Sequence, residues 1–133
     1  MELKTFLVIN ACLFVPFGVA MLAVPGLLFP LFGLGLDGDG QLMGRIVGAS
    51  LLCLGLISYW MRAEAVTPAV RTFLLGSMVF HFIDAGTTFV GAFTQVMNPL
   101  GWMFSSMHFV LAIGFALYLW PLGRGEPNLG SEG

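Results

Sequence analysis

Hydrophobic positions along the chain fall into four long blocks, separated by short clusters of Gly, Pro, Asn and charged residues. The blocks predict helices at about 3–24, 42–61, 72–96 and 100–119. Each approaches the roughly 20 residues with which a helix crosses about 30 Å of hydrocarbon. A helix satisfies its backbone polar groups internally, as lipid demands. The expected fold is all-α: an integral membrane four-helix bundle with short loops, a single transmembrane domain over residues 1–121 and a flexible tail over 122–133.

The polar positions inside the blocks sharpen this picture. In the third block Ser77, His81, Asp84, Thr88 and Gln95 follow at intervals of 4, 3, 4 and 7, which puts them on one helical stripe. The second block carries Gly44, Gly48, Leu51, Gly55 and Ser58 at similar spacing, a small-residue face on which another helix can pack closely. Gly101, Ser105, His108, Ala112 and Phe115 share a face of the last block. Asn10 and Pro16 interrupt the first; Asn10 reads as a hydrogen-bonding group between helices, and Pro16 as a bend.

Between the first two blocks, residues 27–32 are apolar but too short to span, so they are expected in the membrane interface. Residues 37–40, Asp-Gly-Asp-Gly, read as a turn. They lack the remaining ligands of a calcium loop, and no metal site is expected. Cys12 and Cys53 lie inside blocks and read as buried, inert thiols. Tyr59, Trp60, Tyr118 and Trp120 suit aromatic belts at span ends.

Composition agrees: 58% of residues are hydrophobic and only 9% charged. With a formal net charge of −2 and no basic patch, nucleic acid is excluded as a partner. The lipid bilayer is the first partner expected, followed by other membrane subunits or self-association. Lys4, Arg62, Arg71 and Arg124 fall on one side of the predicted topology and Asp37, Asp39 and Arg45 on the other. The positive-inside rule then places both termini in the cytoplasm.

Candidate chemistry centres on Asp84. An aspartate at mid-membrane costs about 2.5–3.5 kcal/mol on insertion scales, so it needs a proton or a partner. At about 1.5 Å of rise per residue, Asp84 lies at the centre of the predicted third span and His108 at nearly the same depth on the fourth. His81 falls about 7.5 Å from His108 on that scale. A bond from Asp84 to His108 is therefore preferred; His81 and Arg45 are the other possible partners, with Arg45 equally able to reach out to the headgroups.

Four readings of these residues remain open. They could form a proton-responsive network, since histidine titrates near neutral pH. His81 or His108 could be an axial ligand to haem or a chlorophyll-type pigment, although paired ligation by both leaves too little room between neighbouring helices. The stripe could line a cavity for the polar head of a lipophilic ligand such as a quinone. It could also be structural, with Ser77, Thr88, Gln95 and Ser105 as hydrogen-bonding glue between helices. No nucleophile elbow or oxyanion element accompanies Ser105 and Ser106, so an enzyme is not the favoured class.

The segment Gly44-Arg45-Ile46-Val47-Gly48-Ala49-Ser50-Leu51-Leu52-Cys53-Leu54-Gly55 resembles a pattern in small bacterial inner-membrane proteins of unknown function, DoxX-like among them. The resemblance implies a four-helix membrane protein and no particular functional residue. The leading expectation is a small accessory or scaffold subunit within a larger membrane complex. Its rival is a protein that binds a lipophilic ligand, haem or pigment, or handles protons, through His81, Asp84 and His108.

Overall fold

A computed structural model describes the backbone of residues 1–123 and the side chains of residues 1–120. The elements are α1 (Leu3–Ala23), α2 (Pro25–Leu28), a 3-10 turn (Phe29–Phe32), α3 (Gly38–Met61), α4 (Pro68–Phe93) and α5 (Leu100–Gly123). Four of them, α1, α3, α4 and α5 as far as Trp120, are long and apolar enough to cross a membrane. The fold is all-α, and no strand occurs among the described residues.

Local chemistry moves several expected boundaries. Asp37 is the N-cap of α3, accepting from the Gly40 amide at 2.8 Å, and Asp39 sits in the positive first turn. The Asp-Gly-Asp-Gly segment therefore starts the helix instead of forming a separate turn. Helix α4 begins at Pro68, whose missing N–H costs nothing in a first turn, behind the N-cap Thr67. It stops at Phe93, and Gln95 adopts a left-handed backbone with φ 59°. Gln95 thus leaves the polar stripe. Helix α5 runs past the expected domain edge to Gly123, and the remainder of the predicted tail, with Arg124, lies outside the described residues.

The molecule is two tightly packed antiparallel pairs, α1 with α3 and α4 with α5. In the first pair backbones nearly touch. A Cβ on Gly18 would stand 2.6 Å from the Leu52 nitrogen, and one on Gly48 would stand 2.9 Å from the Gly18 oxygen. Gly55 lies against Val15 of α1, and Gly44 under the Phe29 ring. In the second pair Gly101 abuts Ala92, and the Ser105 hydroxyl donates to the Ala85 carbonyl at 2.9 Å.

Between the pairs, large side chains set the spacing. Phe6 packs edge-on to Phe115 with ring centroids 4.8 Å apart, seated where Gly114 leaves room, and Phe17 meets Phe104 at 5.3 Å. Close-packed aromatics supply dispersion contacts where the backbones are too far apart to touch.

The segment 25–32 has two faces. Leu27 and Leu31 are exposed, whereas Phe32 is buried, edge-on to Phe104 at 4.8 Å. Asn98, in the α4–α5 turn, ties the segment down: its amide N–H donates to the Phe32 carbonyl at 2.9 Å and its Nδ2 to the Leu31 carbonyl at 2.8 Å. Gly33, with φ 79°, makes the left-handed exit that an L side chain would strain.

Two other expectations change. Cys12 and Cys53 are exposed, on helix faces turned away from the partner helices. A thiol is a small hydrophobe, so it suits an apolar exterior as well as a core. Arg45 does not reach Asp84; it is exposed, and its Nη1 donates to the Leu22 carbonyl at 2.6 Å and so satisfies an orphan carbonyl in the last turn of α1.

Candidate functional site

Five polar side chains meet between the helices, and four form a continuous chain of hydrogen bonds. Ser58 of α3 and Asn10 of α1, both fully buried, are joined by Nδ2 of Asn10 donating to Oγ of Ser58 at 2.7 Å. The Asn10 carbonyl oxygen lies 3.1 Å from Nε2 of His81 on α4. Nδ1 of His81 lies 3.1 Å from Nδ1 of His108 on α5. The fifth member, Asp84, places a carboxylate oxygen 3.7 Å from the same His108 nitrogen, within ion-pair reach and beyond hydrogen-bonding distance. Each spanning helix contributes at least one member.

Packing holds the imidazoles in place. The His81 ring is fully buried, stacked on Phe115 with an 18° interplanar angle and edge-on to Phe14 at 5.0 Å. Phe14 also meets His108 edge-on, at 5.8 Å. Fixing both rings between aromatic faces removes the rotamer freedom that would otherwise weaken their hydrogen bonds.

At its Asp84 end the chain opens onto a cavity of about 290 Å³ between the helix pairs. Its walls are apolar, among them Phe17, Met21, Leu51 and Met107, and Phe29 and Phe32 of the 25–32 segment close one end. Asp84, Thr88 and His108 are its polar residues. Thr88 spends its hydroxyl locally, donating to the Asp84 carbonyl at 2.7 Å. The Asp84 side chain is 38% exposed, against 7% for His108.

The sequence placed Asp84 beside His108, and the two do approach, but the hydrogen bond of His108 goes to His81. The expected depth gap of about 7.5 Å between the histidines is absent because α4 starts and stops earlier than its apolar block. The midpoint of Pro68–Phe93 falls between Phe80 and His81, so His81, not Asp84, is central. With the two rings in direct contact, no macrocycle fits between them. Among the described residues no group of three or more His, Cys, Asp or Glu could hold a metal ion.

Other stripe members stand apart. Ser77 is buried, and its hydroxyl has no hydrogen-bond partner. Gln95 lies beside Asn98 and Trp102 near the α4–α5 turn. Sequence reasoning missed Ser58 as part of the cluster, because it continues the spacing of the packing glycines. Sequence alone makes Asn10 a single helix-to-helix bond, whereas it joins α1 to both α3 and α4. A lone amide in an apolar block was the available signal.

No family model matches the chain, and no curated protein or solved structure matches it either.

Proposed function

We propose that the protein binds a small lipophilic molecule whose polar head reaches Asp84 and His108. The observation that carries this reading is the cavity itself: apolar walls, a volume of about 290 Å³ near the lower end of ligand-pocket sizes, and polar groups gathered at one place. An apolar body would fill space between the helix pairs, and its head would partner a carboxylate that is expensive to leave alone at membrane depth.

Filling the cavity tests it. Met107→Trp and Leu51→Trp place bulk where the ligand would sit. Each should abolish binding of a lipophilic probe, read by thermal shift of the purified protein, while circular dichroism stays helical. Unchanged binding in both variants would sink the proposal.

The accessory-subunit role is the second proposal. Constant co-purification with one larger complex, together with probe binding that ignores both tryptophans, would favour it. The membrane we assign is the bacterial inner membrane, with both termini cytoplasmic. Support comes from Lys4, Arg62 and Arg71, which lie at the same end of the bundle, opposite Asp37 and Asp39. Reporter fusions at either terminus that read as external would reverse this orientation.

A further inference from the structure

The hydrogen-bond chain has a direction, and the direction specifies what the cavity offers a ligand. A carbonyl oxygen can only accept, so Asn10 requires His81 to carry its proton on Nε2. A neutral imidazole has one N–H, which leaves the Nδ1 of His81 as an acceptor. His108 must then donate from its own Nδ1, because two lone pairs facing one another at 3.1 Å form no bond. An ionised Asp84 works in the same direction, since its carboxylate oxygen lies 3.7 Å from that same His108 nitrogen and favours an N–H there.

With Nδ1 carrying the proton, Nε2 of a neutral His108 holds a lone pair. That nitrogen has no protein partner among the hydrogen bonds of the cluster. Among the described residues the hydroxyl of Ser77 is the sealed, unpartnered side-chain polar atom, so Nε2 of His108 is reachable from a surface. His108 lines the cavity. We assign the surface that reaches Nε2 to this cavity, whose acceptors are then the imidazole lone pair and the oxygens of Asp84.

We infer that the ligand carries a hydroxyl donor on an apolar body, as an alkylphenol or a lipophilic alcohol does, and that Asn10 is a positioning residue which selects it by fixing the tautomers of His81 and His108. This rests on the binding role proposed above. The same chain is no through-route for protons, because the Asn10 amide accepts at its oxygen without a proton to pass on. If the amide turned over, it would donate to His81, every bond in the histidine pair would reverse, and His108 would present an N–H to the cavity. The site would then prefer ethers and carbonyls.

The test combines two measurements on the full chain in lipid nanodiscs. Nitrogen NMR of isotope-labelled histidine should show His108 protonated at Nδ1 and bare at Nε2, with the opposite arrangement in His81. Para-butylphenol should bind about tenfold more tightly than para-butylanisole, which has the same shape without the donor. Ser58→Ala frees the amide to turn without touching the cavity; it should mix the tautomers and narrow that preference.

An N–H at Nε2 of His108 in the unliganded protein would overturn the inference, whether by the opposite tautomer or by double protonation. Equal affinity for the two probes would also overturn it, while leaving the cavity reading intact. Binding of neither probe, with Met107→Trp indistinguishable from the parent, would remove the binding role and the ligand class together.

Discussion

Asn10 shows how much one polar side chain can organise in an apolar bundle. Fully buried, it satisfies two other helices at once, and truncation would leave the N–H of His81 without an acceptor. Asn10→Ala should therefore destabilise the protein by about 1–2 kcal/mol in reversible detergent unfolding, near the upper range for membrane hydrogen bonds. A double-mutant cycle with His81→Phe should return most of that loss as coupling energy. Ser77 makes the contrast. Its hydroxyl is buried without a partner, so Ser77→Ala should be neutral or stabilising by up to about 1 kcal/mol in the same assay. From sequence, Ser77 and His81 looked alike, two polar residues one turn apart on a stripe. What separates them is whether a partner on a different helix arrives opposite, and spacing within one helix carries no such information.

The elements themselves were legible because lipid leaves few alternatives for a long apolar block. Their ends were less so, since hydropathy does not report capping: behind the N-caps Asp37 and Thr67, α3 and α4 start at Gly38 and Pro68, ahead of their apolar blocks. Helix pairing can be tested at its closest point. Gly18→Val and Gly48→Val would drive side chains into opposing backbone within 3 Å, and each should cost about 1–3 kcal/mol or more and separate α1 from α3. Gly76 and Gly86 face open space, so Gly76→Ala and Gly86→Ala should be neutral or add up to about 1 kcal/mol. At the closed end of the cavity, Asn98→Ala removes the side-chain bond to Leu31. Amide hydrogen exchange across residues 27–34 should then speed up, with α1 and α3 unaffected; uniform exchange along the chain would show that Asn98 holds more than this segment.

For the whole molecule, the contrast between intimate contact within pairs and aromatic spacing between them explains why a cavity exists and where it lies. Small residues bring the backbones of each pair together, Gly18, Gly48 and Gly55 in the first and Ala85, Ala92 and Gly101 in the second, whereas rings of fixed shape cannot fill every gap between two separated backbones. The same architecture explains why the site was only partly readable: the residues that build it come from both pairs, and their register depends on how the pairs settle together. It also implies that each pair is a unit of membrane insertion in its own right, with its tightest interface inside it. The gene could accordingly be cut in the connection between Arg62 and Thr67. Two co-expressed fragments, ending at Glu64 and starting at Ala65, should each enter the bilayer as a hairpin, find one another through the phenylalanines and the Asn10–His81 bond, and co-purify as a single complex.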